Sequence, residues 1–265
     1  MRHLPRPLLI GTVHLPALPG SPGHRLPLAA LAEHAVADAK ALRRAGFGAL
    51  LIENFGDVPF AADHLEPAAV AAMGIVAAEV RSVTSLPIGI NALRNDAIAA
   101  LGIAAAAEAA FIRVNVHTGV AATDQGILQG RAAETLRYRQ RLNPDIGILA
   151  DVHVKHAVPL SQPDIALAAE EIAYRGLADG LIVTGPTTGR PADLEDVGRV
   201  KQAVPDRLVL VGSGASAETV AGILAVADGV IAGSSLKPGG RTDQPIDPEL
   251  AREFIRATSG LVRDG

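Results

Sequence analysis

Short apolar runs alternate along the chain with longer segments whose apolar positions recur at helical spacing. Runs of about four to eight apolar residues predict buried strands, and the longer repeat predicts amphipathic helices. The predicted strands are Leu8–His14, Ala49–Glu53, Ile88–Asn91, Phe111–Asn115, Ile146–His153, Gly180–Thr184, Leu208–Val211 and Val230–Ala232. The predicted helices are Ala29–Ala45, Pro67–Val83, Asp96–Ala109, Arg131–Leu142, Asp164–Arg175, Ala192–Val204, Ser216–Ala225 and Pro248–Ala257.

The strict alternation of strand and helix predicts a parallel sheet, because parallel strands need long crossover connections that are usually helices. A βα unit of roughly 30 residues that recurs in this way predicts a closed (β/α)8 barrel, the TIM barrel. The alternative is an open doubly wound sheet, which usually has fewer strands. No linker or break in composition divides the chain, so we predict one α/β domain over residues 1–265.

Composition excludes several classes of protein. The chain is 49% hydrophobic and 3% aromatic, and it contains no cysteine. Disulfide-stapled secreted domains, zinc ribbons and iron–sulfur proteins are therefore excluded, since all of them need cysteine. A net charge of −4 and the lack of tryptophan argue against a nucleic-acid partner. No apolar run is long enough to span a membrane. We expect a cytoplasmic homo-oligomer that does not span a membrane.

Polar or glycine residues end every predicted strand, and in a TIM barrel the chemistry lies at the carboxyl ends of the strands. Turns are commonly polar, which accounts for an isolated Asn54 or Gly185. Charged residues at strand ends are costly unless they are paired or functional. We therefore predict a polar site at this end, with substrate-binding residues His14, Asn91, Arg113, Asn115 and Thr184.

The fifth predicted strand carries the densest group of charged residues. Alternation along a strand would place Asp151, His153 and Lys155 on one face. Three roles are possible for this group. The three residues could transfer protons together, or Asp151 and His153 could hold a divalent ion with Glu53. Alternatively, Lys155 could attack a carbonyl as a nucleophile. The metal is the weaker alternative, since zinc needs three well-placed ligands and Mg²⁺ more carboxylates. An ion-pair network is the purely structural alternative, and no other cofactor is predicted.

Glu53 ends an apolar strand, where a carboxylate is a candidate general base. A salt bridge from Glu53 to Arg113 is an equally weighted structural alternative. We predict Glu53, Asp151, His153 and Lys155 as the catalytic residues.

The turns after the last two predicted strands are candidate phosphate sites. Gly212-Ser213-Gly214 followed by Ala217 matches a dinucleotide fingerprint, but the acidic residue expected at the end of the next strand is missing. In TIM barrels these two turns commonly bind phosphate through backbone N–H groups. Plain tight turns are the structural alternative. The predicted phosphate-binding residues are Gly212, Ser213, Gly214, Gly233 and Ser234.

Two long connections could cover the site. The first is the Pro/Gly-rich segment 15–23, which follows His14, and the second is 116–130. Long connections in a compact barrel are usually functional lids or disordered segments. We therefore expect both to lie as loops near the mouth.

Motifs over nearly the whole chain, in order, resemble one known family. They are Thr12–Leu15, Leu18–Pro22, Glu53–Asn54, Asp57–Phe60, Ala71–Met73, Gly89–Asn91, Leu93–Asp96, Phe111–Asn115, Asp124–Gly126, Ala150–Ala157 and Val211–Gly214. The chain thereby resembles the BtpA family, although that family more often has methionine at the position of Thr12. The resemblance implies a phosphate-binding TIM barrel, similar to the ribulose-phosphate-binding barrels.

The resemblance implies less about activity. The family takes its name from a role in the accumulation of photosystem I in cyanobacteria, other members resemble parts of sugar-metabolism clusters, and no catalytic role is carried over. The first hypothesis is an isomerase, epimerase or lyase that acts on a small phosphorylated sugar or nucleotide-like ligand. The second is a non-catalytic accessory factor for biogenesis of a membrane complex, and the third is a structural barrel with a degraded site.

Overall fold

Eleven strands and eight α-helices follow one another in residues 4–259, which the computed structural model describes. The strands are β1 (Leu8–His14), β2 (Ala49–Glu53), β3 (Ile88–Asn91), β4 (Phe111–Val114), β5 (Val120–Thr123), β6 (Gly126–Gln129), β7 (Gly147–Val152), β8 (Ala157–Pro159), β9 (Gly180–Val183), β10 (Leu208–Val211) and β11 (Gly229–Ala232). The helices are α1 (Leu28–Ala45), α2 (Pro67–Val83), α3 (Ala97–Ala106), α4 (Ala132–Leu142), α5 (Ile165–Glu170), α6 (Leu194–Ala203), α7 (Val220–Leu224) and α8 (Pro248–Arg256).

Eight of the strands form a closed barrel in the order β1-β11-β10-β9-β7-β4-β3-β2, and every neighbouring pair is parallel. A helix precedes each of the last seven barrel strands, and α8 follows β11. The (β/α)8 barrel predicted from the alternating pattern is therefore confirmed. No helix within residues 4–259 has both the length and the apolar character needed to cross a bilayer.

The barrel lumen is filled by apolar side chains from alternate strand residues. Leu8 and Ile10 of β1 belong to the same buried cluster as Leu51 of β2 and Phe111 of β4. A Cβ at Gly89 of β3 would overlap the Phe111 ring, so the glycine makes room for the largest side chain in the lumen. The other face of each strand packs against the helices in a second, larger core. The lower lumen is thus a packed core, and only its upper end is available for chemistry.

Residues 116–130 do not form the loop expected from the sequence. They contain the antiparallel hairpin β5–β6, and β8 joins β5 on its other side. Gly126 takes a φ of 100° at the end of the turn, a conformation that glycine adopts without steric cost. Ala121 and Leu128 pack inward with Val116 and Val154 as a small core of their own. The two strands are short and carry adjacent apolar residues, with no clear alternation of apolar and polar positions, so the local pattern did not predict this hairpin.

Two α-helices are much shorter than predicted. The predicted helix 164–175 is α-helical only as α5, and Glu171–Arg175 continue it as a π-helical segment. The predicted helix 216–225 is α-helical only as α7. Its first residues form a turn instead, because the Ser216 N–H donates to Thr219 Oγ1 and that hydroxyl donates to the Gly214 carbonyl. Local side-chain hydrogen bonds of this kind compete with the helical ones.

Candidate active site at the barrel mouth

A cavity opens at the carboxyl ends of the barrel strands. Its lining brings together two groups that the sequence predicted separately, the charged residues and the glycine turns. The lining residues are Thr12, His14, Glu53, Arg113, Lys155, Thr188, Gly189, Gly212, Ser213, Gly214, Ala215, Ile231, Gly233 and Ser234.

The alternation that buries apolar residues in the lumen also delivers polar residues to this cavity. Ile10, Leu51 and Phe111 face the lumen, and the next residue on the same face of each strand is polar. Seven strands share this arrangement. The residues that lie two positions after the lumen-facing apolar residue of their own strand are Thr12, Glu53, Arg113, Asp151, Thr184, Gly212 and Gly233. His14 lies one further step along β1. The polar mouth is therefore the top layer of the same packing that builds the core.

Arg113 lies at the centre of the charged group and is 3% exposed. Its Nε and Nη2 donate to Asp151 Oδ1 and Oδ2 at 2.9 and 3.0 Å, and its Nη1 donates to Glu53 Oε1 at 3.1 Å. Burial alone would lower the pKa of Arg113, but the charges of Asp151 and Glu53 outweigh it and raise that pKa. The guanidinium is a permanent cation held in one orientation by two carboxylates.

Asp151 lies behind Arg113, and its side chain is fully buried. Besides Arg113, it accepts a hydrogen bond from Asn115 Nδ2 at 2.8 Å. Asn91 Nδ2 donates in turn to Asn115 Oδ1 at 3.2 Å and to the Arg113 carbonyl at 3.1 Å. Asp151, Asn91 and Asn115 thus form a buried network that orients Arg113, and none of them lines the cavity.

Glu53 and His14 face each other across β1 and β2, and 3.7 Å separates Glu53 Oε2 from His14 Nε2. Burial lowers the pKa of His14 well below 6.5, and the positive charges of Lys237, Lys155 and Arg113 lower it further. The imidazole is therefore neutral at neutral pH. Within residues 4–259 its buried Nδ1 has no hydrogen-bond partner.

Lys155 is fixed at the mouth by its backbone. Its N–H donates to Thr184 Oγ1 at 3.0 Å, and its carbonyl accepts from Arg94 Nη2 at 2.6 Å. Burial lowers the pKa of the Lys155 amine, and the positive charge of Arg113 adds to that effect. Thr184 was predicted to bind substrate, but its hydroxyl accepts the Lys155 N–H and the residue does not line the cavity.

The turns after β10 and β11 also line the cavity. The N–H of Gly212 donates to the Val183 carbonyl, and Ser213 Oγ accepts from the Gly185 N–H. No acceptor among residues 4–259 lies in hydrogen-bonding geometry with the N–H groups of Gly214, Gly233 or Ser234. Three backbone donors in these two turns are therefore available to a ligand.

Gly214 and Gly233 both allow close approach at this wall. Gly214 has a φ of 71°, and a Cβ there would overlap the backbone of Pro191. A Cβ at Gly233 would come within 2.8 Å of His14 Cε1. Side chains at either position would reshape the turns and the cavity between them.

Comparisons with known proteins agree with the family resemblance of the sequence motifs. The model of the BtpA family matches residues 6–260. The chain belongs to the BtpA family. The photosystem I biogenesis protein BtpA of Synechocystis sp. is 45% identical to it over 94% of this chain and 87% of its own length. An uncharacterized protein of Thermococcus kodakarensis is 44% identical over 96% of this chain and 95% of its own length.

Solved structures with the same architecture share much less sequence with this BtpA-family chain. The N-(5'-phosphoribosyl)anthranilate isomerase of Pyrococcus furiosus matches with a TM-score of 0.56 and 13% identity, over 94% of this chain and 98% of the enzyme. KGPDC of Streptococcus mutans matches with a TM-score of 0.58 and 13% identity, over 96% and 97% of the two chains. At such identity the likeness shows the fold alone.

His153 does not lie beside Lys155, contrary to the alternation argument. Strand β7 ends at Val152, and His153 takes a φ of 51° in the left-handed region, which breaks the two-residue repeat. Its ring Nε2 lies 2.8 Å from the Gln162 carbonyl oxygen. His153 lines a separate cavity beneath the small sheet of the BtpA-family barrel, on the far side of Asp151. Asp151 and His153 line that cavity together, whereas Lys155 lines the mouth cavity, so the three side chains do not form one group as predicted.

The metal alternative required Asp151, His153 and Glu53 to converge. Both carboxylates instead accept hydrogen bonds from Arg113, and His153 lies in the other cavity. Within the described part of the chain, no three His, Asp or Glu side chains are grouped so that they could hold a metal ion. The two carboxylates predicted as ligands are thus used in an ion-pair network with Arg113.

Several cavity residues of this BtpA-family chain were not nominated from the sequence. Thr12 could have been found, because it lies on the same face of β1 as His14. Thr188 and Gly189 come from the loop after β9, which folds over the mouth with Thr188 Oγ1 3.0 Å from His156 Nε2. No local pattern predicts that fold-back, since it depends on a contact between two loops.

Proposed function

We propose that this chain is an enzyme that acts on a small phosphorylated sugar or nucleotide-like ligand. The proposal rests on the residues that line the mouth cavity. On one side are turns with free backbone donors at Gly214, Gly233 and Ser234, and on the other are Glu53 and Lys155. The first side suits a phosphate group, and the second suits proton transfer on the carbon skeleton attached to it.

The phosphate would bind at the turns after β10 and β11. Backbone N–H groups there donate hydrogen bonds without the desolvation cost of buried cations. Arg113 and Lys155, which line the same cavity, add positive charge toward an anionic ligand. Phosphate-binding turns after the seventh and eighth strands are common in TIM barrels. The Pyrococcus furiosus isomerase is named for a phosphoribosyl compound, which is a ligand of this class.

Glu53 would be the proton acceptor. Arg113 holds one of its oxygens, and the other lies 3.7 Å from the neutral His14 ring. A fixed carboxylate beside a neutral imidazole can take up a proton and pass it on, as an isomerase, epimerase or lyase requires. Asp151 would act through Arg113 as a positioning residue, and His153 lies outside the cavity.

Ligand binding tests this proposal directly. Inorganic phosphate and ribose 5-phosphate should raise the Tm of the full chain in a thermal-shift titration. Ser234→Asp places a carboxylate at the phosphate wall, and repulsion should weaken phosphate binding at least about tenfold. Ser82→Asp is the matched control, because it adds the same charge at the exposed end of α2. Equal phosphate affinity in both variants, or no Tm shift with either ligand, would contradict the proposal.

A second candidate function is a non-catalytic accessory role in the biogenesis of a membrane complex. The relative from Synechocystis sp. is named for photosystem I biogenesis. On the small sheet, Ala122 pairs with both Ile127 and Val158, and these two side chains and Leu160 are more than half exposed. Exposed apolar groups on one face are typical of partner-binding surfaces.

One experiment separates the two functions. The variants would be expressed in a Synechocystis strain that lacks its own BtpA protein, and photosystem I content would be measured. If the role is accessory, the double variant Ile127→Asp/Val158→Asp should fail to restore photosystem I content, whereas Ser234→Asp should still restore it. An enzymatic role requires the opposite pattern.

A further inference from the structure

The chain contains four lysines, and two of them, Lys201 and Lys237, have an evident structural use. Lys40 lies on the outer helix α1, away from the mouth. Lys201 pairs with Asp228, and its Nζ also donates to the Arg207 carbonyl.

Lys237 is fully buried, and the contacts of its amine can be compared with those of Lys155. Its Nζ donates to the carbonyls of Thr242 and Gln244 at 3.1 and 2.6 Å and lies 3.6 Å from Asp38. Burial lowers the pKa of Lys237, but its hydrogen bonds commit the ammonium to the fold.

Lys155 differs from Lys237 in what its amine contacts. Within residues 4–259, no carboxylate lies within 4 Å of Lys155 Nζ and no group accepts a hydrogen bond from it. Glu53 and Asp151 are the acidic residues whose charges act on it, and both carboxylates are already paired with Arg113. The backbone of Lys155 is nevertheless pinned on both sides, by Thr184 and Arg94.

This combination is unusual for a structural lysine. A side chain kept for stability would have a partner for its charge, as Lys237 does. Lys155 instead offers an amine without a partner to the cavity, from a fixed backbone position. The lowered pKa of Lys155 increases the fraction of free amine at neutral pH, and only the free amine is a nucleophile.

We propose that Lys155 forms an imine with the aldehyde or ketone carbonyl of the phosphorylated ligand. This inference rests on the proposed function for the phosphate, and it narrows the substrate class to sugar phosphates in their open-chain carbonyl form. The phosphate at the turns of Gly214 and Gly233 would hold the carbonyl carbon, a few atoms away, within the cavity that Lys155 also lines.

The step balances without an oxidant or a reductant. The nitrogen lone pair of Lys155 attacks the carbonyl carbon, and the C=O π electrons go to oxygen. The nitrogen, now positively charged, releases one proton and the oxygen takes up one, which gives a neutral carbinolamine. The carbinolamine hydroxyl then takes a second proton and leaves as water, while the nitrogen lone pair forms the C=N bond. Glu53 lines the same cavity and can carry these protons, with His14 beside it. The cationic imine withdraws electrons from the adjacent carbon, which favours the loss of a proton or the cleavage of a C–C bond there.

Reductive trapping tests the inference. The full-length protein is incubated with glyceraldehyde 3-phosphate or dihydroxyacetone phosphate, and sodium borohydride is added to reduce any imine to a stable secondary amine. The reduced adduct should increase the mass of the protein by the mass of the probe minus the mass of one oxygen atom. Peptide mapping should place it on Lys155, at least about tenfold above Lys40, Lys201 and Lys237.

Matched variants and probes complete the experiment. Lys155→Arg keeps the cation but cannot form an imine, so trapping should disappear while the Tm shift with inorganic phosphate remains. Labelling spread equally over the four lysines, or no adduct on Lys155, would overturn the inference even if phosphate raises the Tm. Glyceraldehyde and dihydroxyacetone without phosphate should label Lys155 more slowly. Equal labelling with and without phosphate would instead count against the proposed phosphate site and leave the imine standing.

Discussion

The guanidinium of Arg113 and the carboxylate of Asp151 form a two-point pair inside the barrel, with hydrogen bonds of 2.9 and 3.0 Å. Both side chains are almost completely buried, at 3% and 0% exposure. Residues on two neighbouring strands, β4 and β7, thereby hold a cation at a fixed point beneath the cavity. This pair connects the stability of the barrel to the geometry of its mouth.

We expect Asp151→Asn to lower the free energy of unfolding by about 3–5 kcal/mol, because it leaves the buried Arg113 with one carboxylate. Arg241 and Asp243 provide a matched control, since they form the same two-point pair at 66% and 63% exposure. Asp243→Asn should cost about 1 kcal/mol or less. Urea denaturation measures both. Similar losses in the two variants would show that burial does not determine the strength of the Arg113–Asp151 pair.

The lowered pKa of His14 predicts a pH dependence of stability. The unfolded chain binds a proton at His14 near pH 6.5, whereas the folded chain does so only at much lower pH. The unfolded state therefore gains protons as the pH falls below 6.5, and the folded state loses stability by up to about 1.4 kcal/mol per pH unit.

His14→Gln removes this contribution. At pH 8 the wild-type protein should be the more stable one, because the ring is neutral there and the variant has lost packing. The difference in the free energy of unfolding should shrink as the pH falls from 8 to 5. Chemical denaturation at four pH values measures it, and parallel curves for the two proteins would contradict the lowered pKa of His14.

Lys155 and Lys237 should respond differently to removal of their charge. Lys237→Met leaves two carbonyls and Asp38 without their cation, so we expect a loss of about 3–5 kcal/mol in the free energy of unfolding. Lys155→Met removes an amine that has no hydrogen-bond or ion-pair partner within residues 4–259, so we expect a change of about 1 kcal/mol or less. Urea denaturation of both variants checks the contrast. A large loss in Lys155→Met would indicate a structural role for that amine.

Gly214 should tolerate no side chain. Its φ of 71° is unfavourable for alanine, and a Cβ would overlap the backbone of Pro191, so Gly214→Ala should cost about 1–3 kcal/mol or more. Gly222 in α7 is the control, because a Cβ there meets no atom within 4 Å. Gly222→Ala should stabilise the protein by about 0.5–1 kcal/mol. Opposite shifts in Tm are the expected result, and shifts of the same sign would contradict it.

Much of the barrel could be predicted from local patterns. Strands β1, β2, β3 and β10 have the predicted bounds, because a buried parallel strand is an apolar run that is bounded by polar or turn residues. Nine of the predicted site residues line the one mouth cavity, since period-two alternation carries Glu53 and Arg113 to the lumen just as it carries Leu51 and Phe111. These features depend only on residues close together in the chain.

Alternation failed where the backbone left the strand. His153 follows the end of β7 in a left-handed conformation, and the two-residue repeat does not continue through such a residue. The small sheet was missed for a related reason, because β8 reaches β5 only after the chain has passed through β7. Neither event has a signal within a short window of sequence.

Local sequence thus specified the order of strands and helices, the apolar lumen and the polar ring at its top. Only the tertiary structure decided which members of that ring meet. Asp151 became the partner of Arg113, while Lys155 kept a free amine. The physical reason is that ion pairs and hydrogen bonds act over about 3–4 Å, whereas their members come from strands that become neighbours only when the barrel closes. Barrel closure therefore determined which charges support the fold and which face the cavity.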